Sequence, residues 1–87
     1  MPRYFFNITD GRVTLDDVGT VLSDTYAAQD EAVRASGGMI REMGGKFWDE
    51  KEWMMEVSDE GGQALFALRF LAEERSTADN AFYAVRE

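Results

Sequence analysis

Eighty-seven residues make room for one domain. With hydrophobic residues at 45%, aromatics at 13% and a net charge of −8, the chain is too apolar for intrinsic disorder and too acidic to favour a phosphate backbone. It has neither cysteine nor histidine, which excludes disulfides, thiol and Ser-His nucleophiles and any ordinary zinc site, and leaves oligomerisation as the remaining aid to a small core.

The first element is aromatic and β-branched, Arg3 to Thr9, and reads as a strand. Period-two spacing puts Tyr4, Phe6 and Ile8 on one face and Arg3, Phe5, Asn7 and Thr9 on the other. Asp10-Gly11 is a turn dipeptide, so a hairpin is predicted, with a return strand over Arg12 to Leu15 that points Val13 and Leu15 inward. Asp16 to Gly19 breaks it, and a short extended piece, Thr20 to Leu22, follows.

A helix is predicted from about Thr25 to Met43, capped by the Asp24 carboxylate and stopped by Gly44-Gly45. Ala28, Ala32, Ala35, Met39 and Met43 form its apolar stripe, which Ile40 widens, and Asp30 and Arg34 form an i,i+4 pair. Gly37-Gly38 lies mid-helix at a cost of about 1 kcal/mol per glycine relative to alanine. A bend there competes with a straight helix, and the straight helix is preferred.

Trp53 to Ser58 is the next strand, with Trp53, Met55 and Val57 sharing a face. The loop Asp59-Glu60-Gly61-Gly62 turns it into a return strand from Gln63 to Phe70, with Phe66, Leu68 and Phe70 inward and Leu65, Ala67 and Arg69 outward. After a charged connector, Ser76 to Asp79 has the S-x-x-D form of a capping box, and Ala78, Ala81, Phe82 and Val85 follow at helical spacing. The expected fold is therefore α+β: a four-stranded, mainly antiparallel sheet built hairpin-helix-hairpin, one long helix on one face, and a short C-terminal helix. Residues 1–75 form the domain and 76–87 a helical extension.

Four segments carry a likeness: Met1-Pro2-Arg3-Tyr4-Phe5-Phe6 followed by Asp10-Gly11; Asp16 to Gly19; Asp24 to Ala28 with Glu31-Ala32; and Trp53 to Gly61. Over roughly residues 1–70 the chain resembles an uncharacterised family of short bacterial proteins, common in alphaproteobacteria, known as a domain of unknown function. Members often carry histidine where this chain has Asn7, and proline where it has Arg69. The resemblance implies a bacterial origin and a shared fold, and no activity.

Chemistry-bearing residues are sparse. Asp16-Asp17 is the tightest carboxylate pair, but neighbours in an extended segment point to opposite sides, so they read as turn residues. Asp59 to Gly62 lacks the alternating oxygens of a calcium loop. No catalytic, cofactor-binding or metal residue is assigned, and no cofactor is expected. No stretch approaches the roughly 18 apolar residues of a membrane span, and the N-terminus lacks the pattern of a secretory signal, so a cytoplasmic protein without membrane or nucleic-acid partners is expected. The outward residues Phe5, Met54 and Leu65 are apolar where a one-layer sheet normally turns polar groups to water. Together with Phe82, Tyr83 and Val85 they form the candidate interface of a non-enzymatic, self-associating interaction module, a homodimer or a docking partner for another protein. The alternative is a small-ligand-binding or carboxylate-based enzymatic domain with its site in a cleft between helix and sheet.

Overall fold

Strand β1 (Arg3–Thr9) forms where the aromatic alternation predicts it and turns Tyr4, Phe6 and Ile8 toward the core. A three-residue turn follows, closed by a bond from the Asp10 N–H to the Arg12 carbonyl (3.1 Å), with Gly11 at φ 99°. The return strand β2 is only Val13–Thr14. Its register, Thr9 opposite Val13 and Ile8 opposite Thr14, overturns the expected orientation of this segment. Directly opposed residues share a face, so Val13 follows Thr9 outward, and Val13 and Leu15 are 64% and 72% exposed. A short β3 (Thr20–Val21) pairs with the start of β1, Arg3 opposite Val21 and Tyr4 opposite Thr20. The sheet thus has five strands where four were expected. The structure, a computed structural model, describes residues 1–75.

Helix α1 (Thr25–Met43) starts at Asp24, whose carboxylate accepts the Ala27 N–H at 2.8 Å, and runs unbroken through Gly37-Gly38. It ends at Gly44, at φ 55°. The chain then continues through a single 3-10 turn (Gly44–Lys46) into α2 (Phe47–Glu50), which sequence patterning did not reveal, and Lys51 at φ 65° closes it. Ala28, Ala32 and Ser36 form the buried row of α1. These four-residue steps wind slowly around the helix, so Ile40 and Met43 continue the row while Met39 is 42% exposed. The small side chains of the row let α1 lie close to the sheet. Ser36 is fully buried, with its Oγ 3.6 Å from the Met55 sulfur.

Strands β4 (Glu52–Ser58) and β5 (Ala64–Leu71) form the second hairpin, turned by Asp59, whose Oδ1 accepts the N–H groups of Gly61 and Gln63 at 2.9 Å each. Both main ladders are antiparallel: β1 on β4, with Phe6 opposite Val57, and β4 on β5, with Met55 opposite Leu68. The order is β2-β1-β4-β5, with β3 on β1. Trp53, Met55 and Val57 of central β4 are each at most 1% exposed and, with Tyr4, Phe47, Ala28 and Ala32, make the core. The predicted C-terminal helix lies outside the described residues.

Candidate functional site

The cross-strand rows place the outward residues. One row runs Val13, Thr9, Met54, Arg69; the next Asn7, Glu56, Ala67; and beyond it Phe5 faces Ser58. A register shift between Val57 and Ser58 leaves Leu65 as the extra residue of β5. The predicted interface residues are therefore divided. Phe5 is half-buried, with its ring against Gly19, where a Cβ would come within 2.9 Å of Phe5 Cε2. Met54 is half-buried, its sulfur 3.5 Å from Arg69 Nη2. Leu65, 37% exposed, stands on β5. Asn7, Glu56 and Ser58 lie among these residues, so the outer face is a mixed surface rather than an apolar patch. Phe82, Tyr83 and Val85 lie outside the described residues.

Asp16 has a structural position. Its Oδ2 accepts the Phe6 N–H at 3.1 Å, and its Oδ1 accepts the N–H groups of Val18 (3.0 Å) and Gly19 (2.9 Å). Its own N–H donates to the Asn7 Oδ1 at 2.9 Å. The carboxylate fills the gap in the ladder between β2 and β3. Burial pushes the Asp16 carboxyl up, but the N–H donors of Gly19, Phe6 and Val18 together outweigh it and hold the group below its ordinary value.

Two open hollows lie near the first hairpin. One, of about 360 Å³, is lined by Thr9, Val13, Met54, Arg12, Glu50 and Arg69. The other, of about 430 Å³, lies between the hairpin turn and the end of α1, among Asp10, Arg12, Lys46 and Asp49. Their linings mix both signs of charge, and Glu52, also at the first, is held by Arg69 at 3.3 Å. Among the described residues, no group of three or more acidic side chains could hold a metal ion, and no helix is long and apolar enough to cross a membrane.

Among the described residues, β5 is the long strand at an edge of the sheet. Its backbone phase follows from the bond between Phe6 and Asp16. The Phe6 N–H points away from β4, so Phe6 and Val57 form a non-hydrogen-bonded pair, and Val57 turns its own N–H and C=O toward β5. By alternation Phe66, Leu68 and Phe70 bond to β4, in keeping with the Ala72 N–H donated to the Lys51 carbonyl at 2.8 Å. Ala67, Arg69 and Leu71 therefore aim their N–H and C=O groups at the far side, where, among the described residues, β5 has no neighbour. The inward residues are incompletely covered as well: Phe66 and Leu68 are half-buried and Phe70 is 36% exposed. Residues 63–72 contain no acid and one base, Arg69. Sequence alternation marked the faces of β5. Its place at the edge depends on strand order, which alternation does not carry.

The family model described as Domain of unknown function (DUF6894) matches residues 3–72, close to the span over which the resemblance was expected. No curated protein and no solved structure matches the chain.

Proposed function

The chain belongs to the DUF6894 family, and on that premise we propose that it is a small non-enzymatic, self-associating interaction module, a cytoplasmic homodimer without nucleic-acid or membrane partners. The observation that carries this reading is the open edge of β5, an eight-residue, largely apolar strand. A long apolar edge with unpaired N–H and C=O groups is a template for another strand, and proteins that remain monomeric usually shield such an edge with charge, proline or a bulge. Here the bulge is confined to one end and one arginine stands in the strand. Phe82, Tyr83 and Val85 are assigned to the same association on their apolar character.

Light scattering over a dilution series tests the reading. The full chain is expected to be dimeric and to dissociate on dilution. Ala67→Pro removes an outward N–H without touching the β4 ladder, so this variant is expected to keep its far-UV circular dichroism and become monomeric. A full chain that stays monomeric at every concentration overturns self-association.

A further inference from the structure

Resting on that reading, we infer that the partner on the β5 edge is a second copy of this chain, joined β5 to β5, antiparallel, about a two-fold axis at Leu68. The bonding phase supplies the first constraint. Hydrogen-bonded pairs must form between residues whose backbone groups point outward, so odd-numbered residues of one β5 meet odd-numbered residues of the other. Odd-numbered side chains of β5 lie on the outer face of the sheet, and directly opposed residues share a face. The two outer faces then become continuous, and both α1 helices lie on the same side of one sheet running through both copies.

Side chains choose among the registers this phase permits. An axis at Arg69 sets two guanidinium groups directly opposite each other, which is unfavourable. An axis at Ala67 sets Leu71 opposite Gln63, outside β5. An axis at Leu68 pairs every residue from Leu65 to Leu71: Leu65 with Leu71, Phe66 with Phe70, and Leu68 with itself. The half-covered inner residues Phe66, Leu68 and Phe70 thereby gain apolar neighbours. Charge fits the same register. Two chains of −8 meet where each has no acid over residues 63–72. Arg69 of the second copy falls beside Ala67, whose other neighbour is Glu56. The alanine is small enough for the guanidinium to lean across it to the Glu56 carboxylate, which has no ion pair among the described residues.

The chain has no cysteine, so single-cysteine variants report the register without background. At the axis the two Leu68 residues form a non-hydrogen-bonded pair with Cα atoms about 4.5 Å apart, within disulfide range. Leu68→Cys is expected to oxidise to a covalent dimer on a non-reducing gel, and Ala67→Cys, which faces Arg69, to remain uncrosslinked. Crosslinking by Ala67→Cys alone overturns the register. A full chain that is dimeric by light scattering while neither variant crosslinks overturns the β5 pairing and leaves self-association standing, whereas a monomeric full chain overturns both. Should Leu68→Cys fail to fold, amide exchange on the unaltered chain decides. Protection of the Ala67, Arg69 and Leu71 amides is expected to rise with protein concentration, and free exchange of these amides in the dimer overturns the proposal.

Discussion

Along the outer side of β1, the backbone of Ile8 and Thr9 is paired by β2, that of Arg3 and Tyr4 by β3, and the Phe6 N–H between them is taken by a carboxylate. Along the outer side of β5, Ala67, Arg69 and Leu71 present their N–H and C=O groups with no neighbour among the described residues. Both strands are aromatic-rich and of similar length, so composition does not separate them. The first edge is closed by a segment too irregular to be a full strand, which wraps it in two short pairings joined through Asp16. The second ends a plain hairpin, and nothing described after it folds back. In this chain the first edge is covered by the segment that follows it, and its own residues do not set it apart from the second.

The largest expected effect comes from the strand between the two edges. Trp53 is 1% exposed and meets Phe70 of β5 edge-to-face, with ring centroids 5.7 Å apart. Trp53→Ala is expected to cost about 3–5 kcal/mol in urea denaturation and to weaken association as well, since β5 loses its anchor. A loss below about 1 kcal/mol would contradict the core assignment. Next is Asp16→Ala, which strips the closed edge of its plug and leaves the N–H groups of Phe6, Val18 and Gly19 without that acceptor, at about 1–3 kcal/mol. The sign with pH is that of a carboxyl held low by folding. The Asp16 contribution is complete above its ordinary value of 3.8, begins to fail as pH drops below it, and is gone once pH has passed through the lower folded value. The stability gap between wild type and Asp16→Ala should therefore close in that acid window, and a gap that widens there would contradict the plug. The smallest effect serves as a control on the helix. Gly38 lies within a continuous helix, and a Cβ there would meet nothing within 4 Å. Gly38→Ala should raise stability by about 0.5–1 kcal/mol and leave the dimer's dissociation on dilution unchanged.

Much of this architecture is legible in the residues. The bounds of α1 come from Asp24 and Gly44, because caps are local chemistry. The inward sets Tyr4, Phe6, Ile8 and Trp53, Met55, Val57 come from alternation, because pleat geometry is local too. Val13 and Leu15 depart from expectation because a three-residue turn, rather than the two suggested by Asp10-Gly11, sets the register. Ser36 escapes a search for apolar periodicity because it is polar, although its spacing from Ala32 continues the small-residue row and its hydroxyl finds a sulfur. Phe47 lies beyond two glycines that mark a helix end, where periodicity gives no guide. As for the site, alternation places Leu65 outward, but the closed edge under Asp16 and the open edge of β5 depend on strand order, which only long-range pairing decides.

That long-range pairing has a consequence in time. The β4–β5 hairpin closes across a few residues and can form in about 1–10 μs. Strand β1 pairs from Phe5 opposite Ser58 to Thr9 opposite Met54, so it must wait for a partner made some 45 to 53 residues later. At about 5–20 residues per second, β1 spends roughly 2 to 10 seconds on the ribosome before β4 has even been synthesised. Throughout that delay the aromatic run Tyr4, Phe5 and Phe6 has only the short pairings of β2 and β3 and the Asp16 carboxylate to hold it, and its β4 side stays without a partner, so the yield of folded protein in a cell should respond to the pace of translation through α1.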